Sequence, residues 1–108
     1  MGDKMSKMIF LRDFIKITDT ALVGYNYGKD ISALINFEML EQTKNIIYID
    51  VPEKIVTINN SFIKGLLQPS MKRLGRFDFF RKYKFITTKH IEDKLNRIFE
   101  DLFMEDLR

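Results

Sequence analysis

"NIIYIDVPEKIVTINNSFIKGLL", Asn45 to Leu67, decides the fold. Its opening, Asn45 to Val51, is a nearly unbroken run of β-branched and aromatic residues, which predicts a strand buried on both faces. Pro52 ends that strand, because proline cannot donate to a ladder. Lys54 to Ile58 is a second, shorter apolar run. Beyond Asn59 the period changes: Phe62, Ile63, Leu66, Leu67 and Met71 recur at helical spacing. The helix starts near Asn60 or Ser61, one of which caps it. Pro69 lies inside the pattern and predicts a kink or a split. Gly75 is the natural stop.

The same reasoning extends outward. Lys7 to Arg12, "KMIFLR", reads as a strand, and Ala21 to Val23 as a second short one. Gly24 and Gly28 mark a turn. A helix then runs from Lys29 to Thr43 on Ile31, Leu34, Ile35 and Met39, widened by Phe37 and Leu40. Asp30 and Lys44 suit the two ends of its dipole. Lys84 to Thr87 is the last strand. Thr88 caps a closing helix whose stripe is Ile91, Leu95, Ile98 and Leu102, with Phe99 and Phe103 beside it. Strands alternating with helices predict an α/β fold: a small mixed sheet of four to five strands with about three packed helices, in one domain over residues 1–108.

Composition narrows the chemistry. The chain has 108 residues, 45% of them hydrophobic, enough for a core without disulfides. The absence of cysteine excludes thiolate catalysis and thiolate metal sites, and fits a reducing, cytoplasmic setting. The start of the chain lacks the apolar stretch of a signal peptide, and no run approaches the ~18 apolar residues of a membrane span. Gly2 and Ser6 fit the spacing of a myristoylation signal, with no other sign of an anchor. The net charge is +3. Its one local excess is Lys72, Arg73, Arg76, Arg81, Lys82, Lys84 and Lys89, broken by Asp78. A solvated face around a loop accounts for it. So weak a net charge argues against nucleic acid as the partner.

No catalytic constellation emerges, and the sequence predicts no metal, no cofactor and no enzyme. His90 is the single histidine and falls in the first turn of the closing helix. Glu38 with Glu41, and Glu100 with Asp101, sit among polar neighbours and read as solvated helix faces. "GYNYG" lacks the lysine and hydroxyl residue of a phosphate loop. "NNSFI" lacks the glycines of a nucleophile elbow. Phe77, Phe79, Phe80 and Tyr83 interleave with Arg76, Arg81, Lys82 and Lys84. Such a pattern can stack on bases, but its spacing better suits rings packed into the core. The neighbouring arginines remain suited to a protein partner.

In order and spacing, "GKDISALI", "NIIYID", "TINNSFIKGLL" and "FRKYKFITTKHIEDKL" together resemble the STAS-like domain family, compact relatives of the anti-sigma-factor antagonists. The resemblance covers most of the chain. It implies a mixed sheet with helices on it and no catalysis. It also implies a serine at the start of the second helix that a partner kinase phosphorylates, and Ser61 holds that position. A phosphate is tolerated at a helix N-terminus, yet its roughly −2 charge would repel an acidic partner. The resulting expectation is a cytoplasmic regulatory domain, bacterial or from a phage. It would dock Asn59, Asn60, Ser61, Phe62 and Lys64 onto a histidine-kinase-like ATPase or related signalling protein, while Arg81 and Lys82 are candidate contacts of the alternative reading. The alternative, drawn from size and lysine- and isoleucine-rich composition, is a phage or mobile-element inhibitor of a host defence complex, binding through Arg76 to Lys84. Exposed faces of the first two helices can also support a homodimer.

Overall fold

A computed structural model describes residues 6–106. Strand β1, Ser6–Phe10, leads through a single 3-10 turn, Leu11–Asp13, to the short β2, Ala21–Leu22. Helices α1, Tyr25–Ile35, and α2, Phe37–Glu41, follow. Then come β3, Ile46–Asp50, and the short β4, Thr57–Ile58. Helix α3 spans Asn60–Lys82, β5 spans Tyr83–Ile86, and α4 spans Lys89–Asp106. Gly2 lies outside the described residues. Among these residues no helix is long and apolar enough to cross a membrane.

The strands form two sheets, β1-β3-β5 and β2-β4, and every pairing is parallel. This corrects the expectation of a mixed sheet. Helices lie between β1 and β3 and between β3 and β5, so each crossover returns the chain to the same edge and the next strand runs the same way.

Register divides the larger sheet into two unlike faces. Lys7, Ile47 and Tyr83 stand in one row, and Ile9, Ile49 and Phe85 in another. Ile9, Ile47, Ile49 and Tyr83 are buried. On this face Phe37 of α2 meets Tyr83 edge-on at 5.7 Å, Phe79 of α3 stacks on Tyr83 at 4.8 Å, and Phe99 of α4 lies 5.4 Å from Phe85. The opposite face carries Met8, Tyr48 and Lys84 in one row and Phe10, Asp50 and Ile86 in the next. There Met8 and Ile86 are exposed, while Ile46 and Tyr48 are only half-buried. Among the described residues the sheet is therefore covered on one side, not two, contrary to the unbroken apolar run at Asn45 to Val51.

Local sequence explains most helix boundaries, with three corrections. First, α1 begins at Tyr25, directly after Gly24 at φ 102°, and Gly28 lies inside the helix instead of in a turn. Gly28 is there because α3 crosses at backbone distance. A Cβ on Gly28 would stand 2.1 Å from the Phe62 carbonyl oxygen, and one on Gly65 would stand 2.0 Å from that of Tyr25. Second, Asn36 adopts the left-handed conformation, φ 60° and ψ 66°, closing α1 and capping α2 through a bond from the Met39 amide. Asparagine tolerates that region better than most residues, and it divides the helix expected over 29–43. Third, the break in α3 falls at Gly75, φ 78° and ψ 166°, and the dihedrals stay helical at Pro69. Thr88 caps α4 as its sequence predicts, its Oγ1 accepting from the Ile91 amide at 3.3 Å.

Candidate functional site

The start of α3 is built around Asn59. Its side-chain Oδ1 accepts from the Phe62 amide at 2.9 Å, so Asn59 is the cap, not Asn60 or Ser61. The same oxygen accepts from the Gly24 amide at 3.4 Å, which sets the N-termini of α1 and α3 side by side. Neither helix carries an acidic residue in its first turn. Two positive dipole ends thus converge with no carboxylate in either first turn. Asn60 and Ser61 occupy the exposed first two positions of α3.

The β2-β4 pair supplies the rim of this surface. The Val56 amide donates to the Thr20 carbonyl at 2.8 Å and the Asn59 amide to that of Leu22 at 3.2 Å. Lys54 Nζ donates to the carbonyls of Lys16 and Ile17, at 3.1 and 2.6 Å. These bonds draw the loop before β2 against the loop before β4. Four apolar side chains are left exposed on the segments so joined: Ile17 at 91%, with Val23, Tyr25 and Val56. In sequence Ile17 and Tyr25 stand amid turn residues while Val23 and Val56 belong to two short apolar runs, and nothing local marks any of the four as exposed. On the flank, the Tyr27 hydroxyl donates to Asp19 at 2.5 Å. That bond holds the Asp19 carboxyl below its ordinary range, while burial first and Asp19 second push the Tyr27 phenol up.

The other expected contacts are distributed differently. Phe62 is 0% exposed, its ring edge-on to Tyr27 at 5.8 Å, so it serves the core and offers nothing to a partner. Lys64 pairs with Glu105 at 3.3 Å. Arg81 and Lys82 lie at the far end of α3. The straight part of that helix from Ser61 to Leu74 alone rises about 20 Å at ~1.5 Å per residue. There they line a shallow cleft with Lys44, Asn45, Ile46, Leu74 and Asp78. Lys82 Nζ also donates to the Thr43 carbonyl at 2.5 Å, tying the end of α2 to that of α3. Of the seven expected residues, Phe62 is core and the other six are divided between the two ends of α3.

The aromatic run also divides. Phe79 and Tyr83 are buried, Phe80 packs edge-on to Phe99 at 5.7 Å, and Phe77 is 75% exposed beneath the Arg81 guanidinium. Core packing thus holds for Phe79 and Tyr83, whereas Phe77 and Phe80 are both exposed, Phe80 with its ring against Phe99. Arg76 is engaged by Glu100 at 2.5 and 3.0 Å.

One polar cluster is invisible to local sequence. The Glu41 side chain, 5% exposed, accepts from the buried Tyr83 hydroxyl and from Arg73 Nε at 2.9 Å. Ser70 Oγ lies 3.3 Å from the same hydroxyl and accepts from Arg73 at 3.1 Å. Glu41 is therefore not on a solvated face. Burial, then the Glu41 bond, push the Tyr83 phenol far above its ordinary value. Each member has a partner, as a buried network requires, and the cluster pins α2 onto α3 and β5. His90 is exposed. Among the described residues no group of three His, Asp or Glu side chains could hold a metal ion. Compared with protein-family models, curated proteins and solved structures, the chain matches none of them.

Proposed function

We propose that this chain is a non-enzymatic regulatory domain that binds another protein through the start of α3. The observation that carries this is the exposed pair Asn60 and Ser61 at two converging helix N-termini, beside the exposed Ile17, Val23, Tyr25 and Val56. Apolar side chains around a polar centre are what a protein interface needs. Ser61 is the switch. Its hydroxyl is accessible, a phosphate there meets two positive helix ends, and the added charge would stand among apolar contacts that a partner must desolvate. The resemblance to STAS-like domains suggests a histidine-kinase-like ATPase or related signalling protein as the partner, in the cytoplasm. The test is recovery of the protein with its partners from its own host, together with the mass of the Ser61 peptide. A kinase-like ATPase with a phosphate on Ser61 supports the switch, and an unmodified Ser61 beside an unrelated complex sinks it.

A second reading has its own observation. Phe77 and Arg81 are exposed on a surface remote from Ser61. That surface suits an inhibitor of a host defence complex acting through Arg76 to Lys84. Charge reversal at Arg81 and Lys82 abolishes binding in this reading and spares it in the first.

A further inference from the structure

Parallel sheets are normally covered on both faces, because their crossover helices pack on each side. Here Phe37, Phe79 and Phe99 bring α2, α3 and α4 to one face. The opposite face is left with Met8, Phe10, Ile46, Tyr48 and Ile86 as its apolar part, Met8 at 39% and Ile86 at 41% exposed. We infer that this face pairs with the same face of a second copy of the chain. The charges on the face point to that occupant. It carries one cation and one carboxylate in its paired rows, Lys84 level with Tyr48 and Asp50 level with Ile86. A two-fold axis in the plane of contact, set across that diagonal, places Lys84 of each copy over Asp50 of the other. A surface that is self-complementary in this way is what an isologous dimer requires. Lys84 Nζ now donates to the Phe80 carbonyl at 2.9 Å, an exposed bond it can exchange for the carboxylate. A nucleic acid would find two rings, Phe10 and Tyr48, but the Arg12 guanidinium already lies over the Phe10 ring at 4.9 Å, which leaves Tyr48 alone to stack, in a row next to Asp50.

Size sets the strength. Three strands of about five residues cover about 240 Å² in projection, at ~4.8 Å between strands and ~3.3 Å per residue. That is well below the ~800 Å² per partner of a standard interface, so the dimer is weak and concentration-dependent. The inference does not rest on the proposed switch.

Sedimentation velocity of the full chain from about 5 to about 500 µM, the range for a small interface, tests it. The expected result is a monomer passing to a dimer as concentration rises. Met8→Glu and Tyr48→Glu should each weaken the dimer at least tenfold with the thermal transition retained. Met8 is exposed on an edge strand, so its variant folds even if the other does not. Asp50→Lys and Lys84→Asp should each weaken dimerisation by about tenfold, and the double variant should restore it. Arg97→Glu, exposed on α4 beyond the covered face, should change nothing. A monomer at the highest concentration overturns the inference, and so does a dimer indifferent to Met8→Glu or a charge swap that does not rescue. A short single-stranded oligonucleotide bound at Tyr48 by a monomeric protein overturns it in favour of nucleic acid.

Discussion

Helix α3 holds two glycines ten residues apart that answer to opposite constraints. Gly65 has ordinary helical geometry and no room. Gly75 has open space around it, with nothing within 4 Å of an added Cβ, and a backbone conformation that side chains avoid. The first lets α1 and α3 touch backbone to backbone and locks the first half of α3 in place. The second lets residues 76–82 leave the helix axis, burying Phe79 while Phe77 stays in solvent. Glycine inside a helix costs up to about 1 kcal/mol relative to alanine. Gly65 makes that sacrifice for proximity and Gly75 for direction.

Substitution separates the two. Gly65→Ala should produce the largest effect in the molecule. The alanine gains up to about 1 kcal/mol of helix propensity. It also drives its methyl to 2.0 Å from the Tyr25 carbonyl oxygen, which no flexible side chain can relieve. A net loss of more than about 3 kcal/mol is expected, beyond the usual overpacking range, with Gly28→Ala close behind. Thermal or urea unfolding measures it, and a stable Gly65→Ala variant would show that the helices do not cross this closely. Gly75→Ala should cost about 1–3 kcal/mol, the strain of a region that is essentially glycine-only. Gly75→Asn should fare no better, because ψ 166° lies far from the left-handed pocket that asparagine enters at Asn36.

The same contrast shows what sequence could and could not reveal. β1, β3, β5 and α4 were legible because their signals are local: apolar runs, a proline stop, a threonine cap. Gly75 as a break was legible for the same reason. Gly28 was not, since a glycine between tyrosines reads as a turn until its partner, 37 residues on, is known. The Glu41–Tyr83 bond spans 42 residues and leaves no local trace. Pro69 reads as a kink in sequence, yet the helix stays regular there, because losing one amide donor in a well-packed helix need not bend it. The strand at Asn45 to Val51 was assigned correctly, but its composition cannot say whether one face lacks a covering layer. Within the candidate site, Ser61 was legible as exposed and helix-initial. The cap was placed one or two residues late, and the apolar rim was unseen because β2-β4 pairing assembles it.

The caps and the buried network give intermediate effects. Asn59→Ala removes the oxygen that holds both the Phe62 and Gly24 amides, and should cost about 1–2 kcal/mol by urea denaturation. Asn59→Asp should retain most of the stability. Tyr83→Phe removes a bond to a charged acceptor, and should cost about 1–2 kcal/mol near neutral pH. Its sharper signature is in pH. A tyrosine whose folded pKa is raised contributes stability that is fully present below about 10, its unfolded value, and is lost as pH climbs beyond it. The protein should therefore weaken above pH ~10 by up to about 1.4 kcal/mol per pH unit from Tyr83 alone. Tyr83→Phe should flatten that slope. An unchanged slope would show that the phenol is not held by burial and Glu41.

The smallest effect on stability belongs to Ser61, and that is its diagnostic value. Because Asn59 supplies the cap, Ser61→Ala should change unfolding free energy by less than about 0.5 kcal/mol, the ordinary scale for an exposed surface position. Ser61→Asp places a carboxylate at converging helix N-termini that have no acid of their own, and should stabilise the fold by about 0.3–1 kcal/mol. In the switch reading the same variant weakens partner binding at least tenfold while Ser61→Ala leaves it intact. Stability and binding then move in opposite directions for one residue, which no loss of structure can imitate. If Ser61→Asp binds as tightly as the unsubstituted protein, the start of α3 is only a well-capped helix, and the docking surface lies elsewhere.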